Sequence, residues 1–403
     1  MRRFFFITLC ILMFIGYSNL LAGDVDFSWG QAKLKKVTAA AKAEIEAKDK
    51  YQDMTITFVE EAGNSDFATI TKLPWVKKLK VNNTQITDIS PVAKLKKLEE
   101  FSATSMDAAE DAGGLDISPL GSCPELQEAN FYGTEVKGQN ALVTCTKMKD
   151  LSFYMSDVTD ISCVASMPDL EELDLYACDK IMSYQPMKGL KKLRDLNLYM
   201  HKAPLTEFNV LLTLPALEEI WLHFTKITNL NFMKNCVNMK DLDASWCREL
   251  ADISGVAGMK KLEVLELDDA PVTDISPVKN LTNLKRLVLE GTKVTDISPI
   301  KGLQKLERLE LSETKISDIS VLTHLPILED LYLDETLVTD IGLLKNVKTL
   351  ERLDLSKTKV TDITPLMKLP KLNSLELPLT VPAAQIDKFK QANPDCKVKI
   401  DKK

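Results

Sequence analysis

The residues best suited to chemistry are aromatic side chains that recur at steps of 22, 22 and 23 residues in the middle of the chain. They are Tyr132, Tyr154, Tyr176 and Tyr199, continued by Trp221, His223 and Trp246. Tyrosine and tryptophan combine rigid contact area with a polar tip, so they serve as hot spots for protein partners and as platforms for sugar rings. Only 6% of the chain is aromatic. The concentration therefore predicts a recognition surface.

An acidic residue stands four places before each of the four tyrosines, and the acidic series extends beyond them in both directions. Its members are Glu100, Glu128, Asp150, Glu172, Asp195, Glu219 and Asp241. Asp150, Glu172 and Asp195 complete the predicted ligand-binding set. Carboxylates beside an aromatic surface favour partners that carry basic side chains.

Catalytic and metal-binding patterns are absent from the sequence. Its three histidines, His201, His223 and His324, are far apart, and no nucleophile elbow, phosphate-binding glycine loop or His-x-x-x-His pair occurs. No two cysteines form a Cys-x-x-Cys pair, which argues against structural zinc. We therefore predict a protein without enzymatic activity, without catalytic residues, and without a cofactor or metal.

The element that must position these side chains is a repeat of about 22 residues. Residues 287–308, 309–330, 331–352 and 353–374 have nearly the same pattern of leucine, isoleucine and valine. In one frame the repeats begin at Ile56, Leu79, Phe101, Ala129, Leu151, Leu173, Leu196, Ile220, Leu242, Leu265, Leu287, Leu309, Leu331, Leu353 and Leu375. One copy is too small to bury its apolar face alone, so consecutive copies must stack into a solenoid with a shared core.

The alternation at the start of each repeat assigns side chains to faces. An apolar-x-apolar opening is typical of a strand with one buried face, so the opening residue and the third place point inward. The place before the opening residue, the second place and the fourth place then point outward. This register puts the tyrosines on the fourth place and the acidic series on the place before the opening residue, both on the open face of a parallel sheet.

The ends of the chain differ from the repeats. Residues 1–22 combine Arg2 and Arg3 with a short apolar run, which is typical of a secretory signal peptide. Residues 23–55 are predicted to form a helical N-terminal cap, with helical spacing of apolar residues from Ser28 to Tyr51. Residues 56–380 form the predicted solenoid. Residues 381–403 form a C-terminal cap with a helix from Pro382 to Ala392 and a final strand.

Charge and hydropathy limit the possible partners and the location. The chain has 51 basic and 58 acidic residues, so the net charge is 51 − 58 = −7. A mildly acidic chain argues against nucleic acid or an anionic membrane as the main partner. After the signal peptide no apolar run is long enough to span a bilayer. We predict a soluble protein exported to the periplasm or secreted, with no integral membrane segment after cleavage.

The motif LxxLxLxxTxVTDISPL, seen from about Ile56 to Leu379, resembles leucine-rich repeats, and its Asp-Ile-Ser-Pro-Leu segment is most similar to the internalin-like bacterial class. The sixth place holds mainly threonine where the family usually has asparagine. The resemblance implies an α/β leucine-rich repeat solenoid. Its curved parallel β-sheet lines the concave face, and short helical turns and loops line the convex face. It also implies a scaffold that binds a partner on the concave sheet.

Three interpretations of the aromatic column remain open from the sequence. The first is a surface for a protein or peptide, including one rich in basic side chains. The second is a glycan-binding, adhesin-like surface on which the tyrosines and tryptophans stack against sugar rings. The third is a purely structural ladder, because tyrosine suits strands and identical residues stack well across neighbouring strands.

Overall fold

The computed structural model describes residues 26–28, 31–48, 54–106 and 113–402. The predicted signal peptide, residues 1–22, lies outside the described residues. Twenty strands are present in the described part of the chain. In chain order they are β1 Asp26–Ser28, β2 Gln31–Leu34, β3 Thr55–Phe58, β4 Lys78–Lys80, β5 Glu100–Ser102, β6 Leu115–Asp116, β7 Glu128–Asn130, β8 Val136–Lys137, β9 Asp150–Ser152, β10 Glu172–Asp174, β11 Asp195–Asn197, β12 Glu219–Trp221, β13 Asp241–Asp243, β14 Val264–Glu266, β15 Arg286–Val288, β16 Arg308–Glu310, β17 Asp330–Tyr332, β18 Arg352–Asp354, β19 Ser374–Leu377 and β20 Lys397–Ile400.

Eighteen of these strands form one sheet in which neighbours along the chain are neighbours in space. Every pairing in it is parallel except that of β1 with β2. The short strands β6 and β8 pair with each other outside this sheet. A parallel sheet in which each strand pairs with the strand of the next repeat is the architecture of a solenoid, and the predicted leucine-rich repeat fold is confirmed.

The strand register follows the predicted repeat frame. The opening residues Ile56, Leu79 and Phe101 are direct partners at the centres of β3, β4 and β5. The same correspondence continues through every later repeat to Leu353 and Leu375. Each opening residue is buried, and so is each apolar third place, because both lie on the inward face of the pleat.

The convex side consists of short 3₁₀ turns, one in each described repeat except the last. They are Ala68–Lys72, Ser90–Lys94, Ser118–Ser122, Gln139–Thr144, Ser162–Ser166, Gln185–Met187, Leu205–Thr213, Asn231–Met233, Ser254–Gly258, Ser276–Asn280, Ser298–Gly302, Ser320–His324, Gly342–Asn346 and Thr364–Lys368. An aspartate lies two residues before most of these turns, and its Oδ1 accepts a hydrogen bond from the backbone N–H of the first turn residue. Ser298, for example, donates to Asp296 Oδ1 at 2.7 Å. This side-chain acceptor satisfies an amide that a short turn would otherwise leave without a partner.

The N-terminal cap contains less helix than the spacing from Ser28 to Tyr51 predicts. Helix α1 is Ala39–Lys48, and the segment before it forms β1 and β2. β2 adds in parallel to β3, so its backbone hydrogen bonds complete the sheet edge. Leu34 fits a helical pattern in the sequence, but here it alternates with Ala32 as a buried strand residue. Pairing with the edge of the sheet therefore stabilises a strand here more than the local sequence pattern stabilises a helix.

Two further helices complete the described fold. Helix α2, Asn64–Phe67, opens the first convex connection. Helix α3, Ala383–Ala392, begins after Pro382 and packs on the last repeat, and β20 then pairs in parallel with β19. This helix and strand follow the predicted order at the C-terminal end. Within the described residues, no helix is both long and apolar enough to cross a membrane.

Candidate functional site

Four tyrosines form a continuous stack on the open face of the sheet, and we call Tyr132, Tyr154, Tyr176 and Tyr199 the tyrosine ladder. Their ring centroids are 4.5, 4.1 and 4.2 Å apart in chain order, and the planes of each pair differ by at most 16°. Parallel strands are about 4.8 Å apart. The rings are closer together than the strands that carry them, as expected for side chains that converge on a concave face.

The backbone around the ladder is held by a repeated hydrogen bond. In three of the four repeats, the side-chain Oδ1 of the second-place residue accepts a hydrogen bond from the backbone N–H of the tyrosine. Asn130 accepts from Tyr132 at 2.9 Å, and Asp174 accepts from Tyr176 at 3.0 Å. Such Asx turns fix the chain as it leaves the strand. Each ring therefore projects from a preset backbone.

The two inner tyrosines of the ladder expose ring edges and hydroxyl groups rather than ring faces. The faces of Tyr154 and Tyr176 are covered by ladder neighbours on both sides. Burial and hydrogen bonding with the Tyr176 hydroxyl raise the pKa of Tyr154 and of Tyr199. Tyr154 and Tyr199 are therefore neutral near pH 7, and the ladder offers a row of hydroxyl groups that can donate or accept hydrogen bonds.

Beyond Tyr199 the aromatic surface divides. The imidazole of His223 lies 5.2 Å from the Tyr199 ring, and Phe224 meets the same ring edge-on at 5.5 Å. Trp246 then stacks on Phe224 at 5.5 Å. The half-buried Trp221 stands on the second place of its repeat, within strand β12, so it lies beside the row rather than in it.

The seven acidic residues that we call the acidic column, Glu100 to Asp241, are direct partners in consecutive strands. Asp150, Glu172 and Asp195 are aligned side by side in β9, β10 and β11. Burial, then the charges of Glu219 and Asp243, raises the pKa of Asp241 to about 6. Like charges at the spacing of neighbouring strands make this edge of the face strongly attractive to cations.

The structure also brings together carboxyl groups that the sequence prediction omitted. Asp243 is the strand partner of Glu266, and its Oδ2 lies 3.0 Å from His223 Nε2. Burial, then the hydrogen bond and charge of Asp243, raises the pKa of Glu266 to about 8. Burial acts to raise the pKa of Asp243 as well, but the hydrogen bonds from His223 and Glu266 outweigh it and lower this pKa. Both carboxyls occupy second-place positions. The repeat frame of the sequence therefore already indicates that they point outward in neighbouring strands.

A second omission concerns the fifth place, directly after the ladder. Met155, Met200 and Phe224 are 55%, 46% and 42% exposed and have positive φ angles of 56°, 62° and 55°. Trp246, which was predicted from sequence, shares this position with φ 60° and 38% exposure. Bulky apolar residues rarely adopt the left-handed conformation, which glycine, asparagine and aspartate tolerate better. The fifth place thus combines strain with exposed apolar surface.

The cysteines and the candidate metal ligands do not form a site in the part of the chain that the structure describes. No three His, Cys, Asp or Glu side chains there are arranged to hold a metal ion. The cysteines from Cys123 onward are free thiols. Cys123 and Cys145 are neighbours in consecutive repeats, and Cys145 Sγ lies 3.8 Å from the Cys123 carbonyl oxygen. These thiols occupy core positions as small apolar groups.

Comparisons with known proteins agree with this fold. A family model described as leucine rich repeats (2 copies) matches residues 282–325. An internalin from Listeria monocytogenes is 25% identical, with 82% of this chain and 88% of that chain covered and a TM-score of 0.65. A leucine-rich repeat protein from Leptospira interrogans is 19% identical, with 91% of this chain and 93% of that chain covered and a TM-score of 0.74. No curated protein sequence shows a significant match.

Proposed function

Because this chain is a leucine-rich repeat protein whose repeats are of the internalin-like bacterial class, we propose that it is an exported, non-enzymatic recognition protein that binds a protein or peptide on its concave sheet. Leucine-rich repeat proteins are typically recognition scaffolds, and the fold generally serves protein–protein interaction. The observation that carries the proposal is the tyrosine ladder on the open face. The binding residues are the ladder with Trp221, His223, Trp246 and the acidic residues Asp150, Glu172 and Asp195.

The geometry of the ladder favours a protein over a glycan. A sugar ring that stacks on an aromatic side chain needs an open ring face. Tyr154 and Tyr176 have a neighbouring ring on each face. Trp246 is stacked on Phe224, and the guanidinium of Arg248 lies 5.5 Å from its ring centroid. At the two inner tyrosines a partner meets ring edges and hydroxyl groups, which suit the mixed polar and apolar contacts of a protein hot spot.

The acidic column supports a preference for basic partners. It runs parallel to the ladder through the same strands, and its only charges are negative from Glu100 to Asp241. In the C-terminal half the equivalent place carries Arg286, Arg308 and Arg352, which pair with glutamate or aspartate on the sheet. The place before the opening residue is therefore uniformly acidic only beside the tyrosines, where it would attract a cationic partner.

The proposal is tested by capturing partners from the native surroundings of the protein, identifying them by mass spectrometry, and measuring the Kd of the purified pair. The decisive variant is Tyr154→Phe with Tyr176→Phe, which retains both rings and deletes two hydroxyl groups. The matched control, Ser312→Ala with Ser356→Ala, changes the same fourth place in the other half of the sheet. We expect binding to weaken about tenfold or more only in the tyrosine variant, as for the loss of a hot-spot contact. A tyrosine variant that binds the partner as tightly as the control variant and the parent protein would show that the ladder is structural.

A further inference from the structure

The fifth-place residues extend the tyrosine ladder into a wider surface. In the repeats that carry the ladder and its continuation, this place holds Gly133, Met155, Ala177, Met200, Phe224 and Trp246. In the later repeats it holds Asp269, Gly291, Glu313, Glu335 and Lys357 in the same left-handed conformation. The backbone conformation is thus common to the whole array, whereas the apolar side chains are confined to one part of it.

We call the fourth- and fifth-place side chains from Tyr132 to Trp246 the apolar strip. It crosses strands β7, β9, β10, β11, β12 and β13, which are five steps in the sheet. At about 4.8 Å per step the strip is roughly 24 Å long. The acidic column lies four residues before the ladder in each repeat, which is at most about 13 Å at 3.3 Å per residue. The face therefore has an apolar side and an acidic side that run in parallel.

The partner cannot bind this stretch by adding a strand to the sheet. Each strand from β7 to β13 already pairs with a neighbour on both edges. The concave surface offers side chains, so an extended ligand would find no ladder of main-chain donors and acceptors here. A helix satisfies its own backbone hydrogen bonds and needs only side-chain contacts from its receptor.

Resting on the proposed function, we infer that the partner segment is a basic amphipathic α-helix that lies along the solenoid axis. Its apolar side covers the apolar strip and its lysine and arginine residues face the acidic column. A helix is about 10–12 Å in diameter and rises 1.5 Å per residue. About 16 residues therefore match the 24 Å strip, and a helix of this diameter can contact both sides at once. The exposed Met155 and Met200 suit this role, because flexible thioethers adapt to the varied side chains of a helical ligand.

The test selects binders from a display library of random 20-residue peptides on the purified protein. Synthetic copies of the enriched peptides are then examined by circular dichroism and titration. The strip variant is Met155→Asn with Phe224→Asn, which keeps a residue that tolerates positive φ. The matched control is Glu313→Asn with Glu335→Asn, at the same place in the later repeats.

We expect enriched peptides with apolar residues at helical spacing and with lysine or arginine on the flank. They should gain helix on binding. Their Kd should weaken about tenfold or more with the strip variant and remain unchanged with the control, in line with the loss of an apolar anchor. Enriched peptides that require the strip but lack helical periodicity would overturn the helical partner and leave the proposed function standing. Peptides that bind the strip variant equally well would overturn the inference, whereas the proposed function is decided separately by the tyrosine variant and its captured partner.

Discussion

The rings of Tyr154 and Tyr176 lie 4.1 Å apart with an angle of 4° between their planes. The two residues are 22 positions apart in the sequence and occupy the same place in consecutive repeats. Stacked rings contribute about 0.5–1.5 kcal/mol per pair beyond the area that they bury. The ladder therefore stabilises the array in addition to providing a surface, and the two roles must be separated by experiment.

Substitution to phenylalanine removes the hydroxyl groups and tests the binding role, whereas substitution to alanine removes the stacked rings and tests the stabilising role. Tyr154→Ala with Tyr176→Ala removes the three stacked contacts of the ladder. We expect the free energy of unfolding in urea to fall by about 1.5–4.5 kcal/mol, at 0.5–1.5 kcal/mol per pair. The corresponding phenylalanine pair should stay close to the parent. An alanine variant as stable as the parent would mean that stacking contributes nothing to the fold.

A second prediction concerns His201, which is buried in the sixth-place column. Its Nε2 lies 2.7 Å from the Leu175 carbonyl oxygen of the preceding repeat, and its buried Nδ1 has no hydrogen-bond partner among the described residues. Burial lowers the pKa of His201 below its ordinary value of 6.5. The unfolded chain therefore binds a proton more readily than the folded chain. Stability is full above about pH 6.5 and falls as the pH drops below it.

This dependence can be isolated with His201→Thr, which places the usual residue of the column at this position and removes the titrating group. The free energy of unfolding is measured at pH 7.5 and at pH 5.0 for both proteins, so that effects of other groups cancel in the difference. We expect the parent to lose more stability on acidification than the variant. Equal losses would show that His201 is protonated as easily in the folded protein as in the unfolded one.

The carboxyl of Glu266 predicts the opposite dependence of folding stability on pH. Burial, then the nearby Asp243, raises its pKa to about 8, well above the value near 4.5 expected in the unfolded chain. The folded state holds the proton more tightly, so stability is full below about pH 4.5 and is lost as the pH rises through 8. Glu266→Gln should make unfolding less dependent on pH between 5 and 9, as measured by urea denaturation. A variant with the slope of the parent would contradict the raised pKa.

The cysteines provide a probe of local opening. Burial raises the pKa of Cys123 and Cys163 to about 12, and that of Cys145 and Cys247 to about 11. Alkylation requires the accessible thiolate. With iodoacetamide and mass spectrometry, we expect the half-exposed Cys396 to react first and the core thiols to react only as the array unfolds. Early labelling of Cys123 in the native protein would show that its repeat opens locally.

Much of the fold follows from the chain itself. The 22-residue period and the apolar alternation predict the strand register and the inward leucines, and the resemblance to leucine-rich repeats implies the short convex turns. They also predict that Tyr132 to Tyr199 share one column. Side-chain direction in a strand has a period of two, so one correct frame orients every repeat at once. Helix α3 was predictable for a similarly local reason, because Pro382 and Asn393-Pro394 mark its ends.

Other features were decided only by the tertiary structure. The segment before Ala39 forms strands because β2 can pair with the edge of β3. This stabilisation comes from a long-range contact, which the local spacing of apolar residues does not reveal. The covering of the Tyr154 and Tyr176 faces depends on how far the curved sheet brings the rings together. The pairing of Asp243 with Glu266, and the left-handed backbone that exposes Met155 and Phe224, likewise arise between or after strands. A sequence period specifies which residues are aligned, but distances, burial and protonation depend on how closely the assembled repeats bring those residues together.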